Sequence, residues 1–96
     1  MNDIYFEWNK LKSLVNKRKH GVSFEEAKTV FYDERAIQFD DPDHSENEDR
    51  FIMVGLSFRL RILVVSHCER DVDVIRIISA RKATRHEVRH YEEGKT

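Results

Sequence analysis

Breakers of regular structure are scarce in this 96-residue chain, which has three glycines and one proline. So few interruptions leave little irregular backbone, and the chain should be rich in helices and strands. A single cysteine, Cys68, excludes an internal disulfide framework, and a small buried apolar side chain is its simplest role. No apolar run approaches the length of a membrane span, and the opening residues MNDIYFEW carry no signal-peptide pattern. A cytoplasmic location without membrane contact is expected. A glycine-rich phosphate loop, a CxxC pair and an HExxH metal motif are all missing, so neither a cofactor nor a metal is expected. The net charge is only −1, so bulk electrostatics do not mark a nucleic-acid binder.

What the chain has is charge in blocks. Charged residues make up 36% of it and apolar residues 40%, enough for one modest core in a single domain spanning residues 1–96. Lys17, Arg18, Lys19 and His20 form an early basic cluster. Asp40, Asp41, Asp43, Glu46, Glu48 and Asp49 form an acidic middle. Arginines load the second half. A local basic surface is compatible with a neutral total, although many such charges only solvate helix faces.

The chain reads as β-α-α-β-β-β-β-α. Ile4–Glu7 is a short opening strand. Trp8, Leu11, Leu14 and Val15 recur at helical spacing over 8–19, and Gly21 supplies the left-handed stop. Ser23 with Glu26 is a capping box that starts a second helix, whose apolar stripe is Phe24, Ala27, Val30 and Phe31. Ala36–Phe39 is a strand and 40–49 a polar loop. Arg50–Leu56 and Arg59–His67 form a hairpin, Val74–Ala80 is another strand, and Thr84–Glu93 is a closing helix with a thin apolar face of Val88 and Tyr91. The implied class is α+β, a small antiparallel-rich sheet with helices packed on one face. A closing helix with so little apolar face gains from docking to a partner, and Phe58 and Leu56 near the hairpin turn are further exposed candidates.

The polar residues suit metal-free RNA cleavage. That reaction needs a base for the 2′-hydroxyl, cations for the charged phosphorane and an acid for the leaving oxygen. His20, Glu48 and His67 are candidate bases, and His67 and Tyr91 candidate acids. Arg61, Arg76 and Arg81 are candidate phosphate ligands on one shared surface. Strict alternation puts Arg81 on the opposite face from Arg76, so Arg81 joins that surface only if the strand ends or bends at Ala80. Structural alternatives stand beside these roles: His20 as a helix cap, and Arg76 in an ion pair with Glu48 or Glu87. His86 and His90, four apart on one helix, lack a third metal ligand.

Three segments carry a family resemblance: FEWNKLKSLVNKRKHGVSFEEAKTVF, EDRFIMVG and IRIISARKATRHEVRHY. Together they cover most of the chain, which resembles the BrnT family of toxins from bacterial toxin–antitoxin pairs. The resemblance implies a RelE-like ribonuclease fold and a cytoplasmic endoribonuclease that arrests translation. It also implies a hetero-oligomer with a BrnA-type antitoxin, through which alone operator DNA would be bound. The KHGVSF motif falls on Lys19–Phe24, the E-x-R element on Glu48 and Arg50, and ISARKAT on Ile78–Thr84. Glu87 and Tyr91 match the E-x-x-x-Y ending. Where similar proteins have a hydroxyl or aromatic residue followed by arginine, this chain reads SHCERD, with His67 and Arg70 in the equivalent places. Lys19, Arg50, Arg70 and Lys82 are the expected substrate-binding residues. The competing class is a noncatalytic RNA- or protein-binding module of the same fold. A small transcriptional regulator is disfavoured by the lack of a helix-turn-helix pair with a basic recognition helix.

Overall fold

Asn9, not Trp8, opens the first helix. In the computed structural model, which describes residues 3–41 and 50–94, α1 spans Lys10–His20, and the Asn9 side chain accepts from the Lys12 amide at 3.0 Å. Gly21, at φ 74°, closes the helix and donates its amide to the Lys17 carbonyl. Ser23 then accepts from the Glu26 amide to start α2, Phe24–Thr29, which tightens into a 3₁₀ turn over Val30–Tyr32. The closing helix α3, Arg85–Glu92, starts at a reciprocal capping box between Thr84 and Glu87.

The strands are β1 (Tyr5–Glu7), β2 (Ile37–Asp40), β3 (Arg50–Leu56), β4 (Ile62–Asp71) and β5 (Val74–Lys82). They form one mixed sheet in the order β1-β5-β4-β3-β2, with β1 parallel to β5 and the other pairs antiparallel. β4 runs beyond His67 to Asp71, so the second turn is tighter than the sequence suggested. The β4–β5 register slips twice. Ser66 faces Ser79, but His67 faces Ile77, which leaves Ile78 as an extra residue on β5; Arg70 is the extra residue on β4. Such bulges reset which side chains share a face.

Both faces of the sheet carry helices, which corrects the one-face expectation. Ile62–Val65 is a continuous apolar run, and its alternate residues need cover on each side. On one side Val22, Phe24, Ala27 and Val30 pack against Leu63, Val65, Ile77 and Ala80. On the other, Tyr91 of α3 packs with Val54 and Val64. The exposed closing-helix stripe is therefore only part of the picture, since Tyr91 is buried.

α1 reverses its expected orientation. Leu11, Leu14 and Val15 are 69%, 67% and 55% exposed, whereas Ser13 and Asn16 are buried. The cause lies in β5. β1 pairs with that strand only as far as Arg76, which leaves the Ala80 peptide groups facing the helix. Buried backbone groups need partners. Asn16 supplies them, donating to the Ala80 carbonyl at 2.9 Å and accepting from its amide at 3.2 Å. The same side chain donates to the Val22 carbonyl at 2.8 Å, and Ser13 accepts from the Phe24 amide at 3.1 Å. An amide carries both a donor and an acceptor, so it stands in for a strand's peptide group.

Candidate active site

α3 covers only one end of its sheet face. Along β4 on that face, Val64 lies beneath the helix, and Ser66 and Cys68 follow toward the far end. Ser66 is paired with Ile52 and Ser79, so small hydroxyl side chains make much of the floor. Beyond them one row crosses four strands in register: Glu7, Arg76, Cys68 and Arg50. The short Cys68 side chain between two arginines leaves a hollow of about 130 Å³, lined also by Arg70 from β4 and Lys12 and Asn9 from the α1 end. Four cationic side chains thus border one small space. The Glu7 carboxylate bounds the cluster at the sheet edge. Its Oε2 accepts from Arg76 Nη1 at 3.0 Å and lies 3.9 Å from Arg70 Nε. These groups are partly or largely exposed, so the ion pairs contribute little to stability. Their effect is on the local field, which favours an anion.

The bulge at Ile78 decides which arginines belong here. Arg76 faces Cys68 and Arg81 faces Val64, so both project from the same side of the sheet. Strict alternation over 76–81 would have separated them. Arg81 is engaged at the α3 end, where Nη1 and Nη2 donate to the two Glu87 oxygens at 2.8 and 3.0 Å. Hydrogen bonding from Arg81 outweighs partial burial and pulls the Glu87 carboxyl down to about 2. Tyr91 donates its hydroxyl to Asp33 Oδ2 at 2.5 Å. Burial, reinforced by that carboxylate, raises the phenol to about 12.

Arg61 leaves the set. It lies on the α1/α2 side, where its guanidinium pairs with Glu26 and donates to the Gly21 carbonyl at 3.0 Å. The expected surface shared by Arg61, Arg76 and Arg81 therefore does not form. Burial alone would raise the Glu26 carboxyl, but the bonds from Arg61 and Ser57 hold it below its ordinary value. His67 is not at a strand end. It is 1% exposed, mid-strand, with its ring 4.8 Å from Phe31 and 5.7 Å from Phe51. His20 is half-buried in a groove between α1 and β5, together with Lys19. Lys82 is exposed at the end of β5. Glu48 lies outside the described residues. His86 is exposed and His90 stacks edge-on to Phe39, and among the described residues no group of three His, Cys, Asp or Glu side chains is placed to hold a metal.

Lys12, which lines the hollow, and Glu7, which pairs with two of its arginines, escape a sequence reading. Glu7 meets Arg76 across 69 positions of chain, a distance no local pattern spans. The one available signal was an acid inside the short strand YFE. Among the described residues, no helix is long and apolar enough to cross a membrane.

Residues 8–87 match the family model described as the ribonuclease toxin BrnT of type II toxin–antitoxin systems. Among solved structures, the crystal structure of the Brucella abortus ribonuclease toxin BrnT superposes with a TM-score of 0.67 at 21% identity. The match covers 85% of this chain and 99% of that one, and shows a shared fold. No curated protein matches the sequence significantly.

Proposed function

The chain belongs to the BrnT family of ribonuclease toxins of type II toxin–antitoxin systems, and from that premise we propose that it cleaves RNA without a metal ion on the open half of the α3 face. Translation arrest would follow, relieved by an antitoxin of the BrnA type. The observation that carries this reading is the cationic hollow, where Arg50, Arg70, Arg76 and Lys12 converge beside a floor of small side chains.

In this reading the phosphodiester sits in the hollow. Arg76, Arg50 and Arg70 bind its nonbridging oxygens and stabilise the dianionic phosphorane, in the manner of fixed donors aimed at developing charge. Glu7, already beside Arg76 and Arg70, takes the proton of the 2′-hydroxyl. The 2′-oxygen then bonds to phosphorus, the bond to the 5′-oxygen breaks, and that oxygen takes the proton that Glu7 had accepted, directly or through water. The products are a 2′,3′-cyclic phosphate and a free 5′-hydroxyl. Lys19 and Lys82 contact flanking phosphates. Arg81 and Tyr91 act by anchoring the strand end and α3 at the edge of the floor, since their polar ends are held by Glu87 and Asp33. Glu7 thus takes the base role assigned from sequence to His20, Glu48 or His67.

The test is cleavage of RNA in EDTA by purified toxin free of antitoxin. Arg76→Ala should lower the rate by about 10²–10³, the usual effect of removing one transition-state donor, with its circular dichroism unchanged. Glu7→Gln, His20→Gln and Glu48→Gln, each followed across pH, assign the base: the variant that loses the acid limb of the rate profile carries it. A silent wild type in EDTA, or Arg76→Ala at the wild-type rate, refutes the reading.

A further inference from the structure

The orientation of α1 leaves a surface that the fold itself does not use. Leu11, Leu14 and Val15 lie at i, i+3 and i+4, so they form one continuous stripe on the outer side of the helix. All three are more than half exposed, and the inward side is polar. Every charged side chain on the helix is cationic: Lys10, Lys12, Lys17, Arg18 and Lys19. Beside the stripe runs a groove of about 390 Å³ between α1 and β5. Leu11, Val15 and Ile78 line it, with Lys12, Lys19 and His20 around them. Lys12 and Ile78 also line the cationic hollow, so groove and hollow adjoin at these two residues.

We propose that this face seats an acidic amphipathic segment of the antitoxin, whose apolar side chains enter the groove while its carboxylates pair with the α1 lysines and Arg18. The inference rests on the toxin reading and adds the partner's place and chemistry. Charge selects the occupant. A second copy of the chain would set one wholly cationic helix against another, which like-charge repulsion opposes. RNA would satisfy the cations but would meet three aliphatic side chains where stacking needs aromatic rings. An acidic amphipathic segment satisfies both features. Seated there, it borders the hollow through Lys12 and brings negative charge to the place where a phosphate would bind. Neutralisation then follows from occupancy and charge together, with no change in the toxin's fold.

The experiment uses purified toxin, its cognate antitoxin and RNA. Leu14→Ser with Val15→Ser should weaken antitoxin binding about 100-fold, the scale of losing central apolar contacts. Arg18→Glu should weaken it about tenfold, with a shallower salt dependence. Cleavage by both variants without antitoxin should equal that of the wild type, because these exposed side chains touch neither core nor hollow. The surface is wrong if the variants are neutralised as efficiently as the wild type. It is equally wrong if their cleavage falls in step with binding, which would make this an RNA surface. Self-association of the wild type that these substitutions abolish would assign the face to a second copy. Binding to phosphatidylglycerol vesicles that antitoxin does not displace would assign it to a membrane. A wild type that neither cleaves RNA nor binds antitoxin removes the toxin reading and this surface together. A wild type that cleaves and is neutralised, beside variants neutralised equally, removes the surface alone.

Discussion

Acidification from pH 6.5 to 4.5 should cost the fold about 2 kcal/mol through His67 alone. The imidazole is 1% exposed, packed between Phe31 and Phe51, and its Nδ1 has no hydrogen-bond partner. Burial lowers its pKa from 6.5 to about 4, against a smaller opposing effect of the Val65 backbone. The unfolded chain therefore takes up a proton near pH 6.5 that the folded chain refuses until about pH 4. A group with a depressed folded pKa contributes stability above its unfolded value, and that contribution is lost as the pH falls toward the folded value. The slope approaches 1.36 kcal/mol per pH unit, of which about 2 kcal/mol falls within this window. Glu26, Asp33 and Glu87 also have lowered pKa values, but their contributions are lost at more acidic pH, below their ordinary values of 4.5, 3.8 and 4.5. Urea unfolding followed by circular dichroism at half-unit steps from pH 7 to 4.5 measures the slope. His67→Leu should flatten it and change neutral-pH stability by less than about 1.5 kcal/mol, as a near-isosteric apolar replacement. An unaltered slope in His67→Leu, or a flat wild type, would refute the buried neutral imidazole.

Other substitutions probe the frame around the site. Gly55→Ala should destabilise by about 1–3 kcal/mol, because its Cβ would lie 2.9 Å from Ala36 Cβ and from Val30 Cγ1 and 3.2 Å from Asp33 Oδ2; an unchanged melting temperature would show that this corner yields. Asn16→Leu leaves the Ala80 peptide groups without their side-chain partner and should lower stability by about 3 kcal/mol. A loss below about 0.5 kcal/mol would mean that water replaces the amide. Thr84→Ala removes one half of the α3 capping box and should cost about 1 kcal/mol in chemical denaturation, while the Arg81–Glu87 pair persists.

The parts of this fold that sequence announces are those whose causes are local. Gly21 and the Ser23 cap on the Glu26 amide each act within one helical turn, and each lies where its pattern placed it. The orientation of α1 was not legible, because periodicity reports that Leu11, Leu14 and Val15 share a face but not which way that face turns. Asn16 decides the direction by bonding Ala80, 64 positions away. His67 looked terminal because the apolar run thins after it, although the hairpin continues to Asp71 through charged residues. Arg50, Arg70 and Arg76 were recognisable as phosphate ligands by type. Their convergence with Lys12, and the departure of Arg61 to Glu26, depend on strand register.

The extra residue at Ile78 works as a phase shifter between two halves of β5. Upstream, Arg76 takes its side from the hairpin with β4; downstream, Arg81 takes its side from the docking of α3. Setting Ile78 aside in the bulge lets both demands be met on the same surface while Ile77 and Ala80 both stay in the opposite core. Pairing Ile78 regularly with β4, instead of setting it aside in a bulge, would restore strict alternation over the odd spacing and force one half to turn over. Either Arg76 would be driven into the α1/α2 core, or Arg81 and the helix after it would be carried to the wrong side. For this strand, parity is thus a coding variable: at an odd spacing the two arginines share a surface only through a bulge, whereas a strand without Ile78 would have an even spacing and keep them together with no bulge at all.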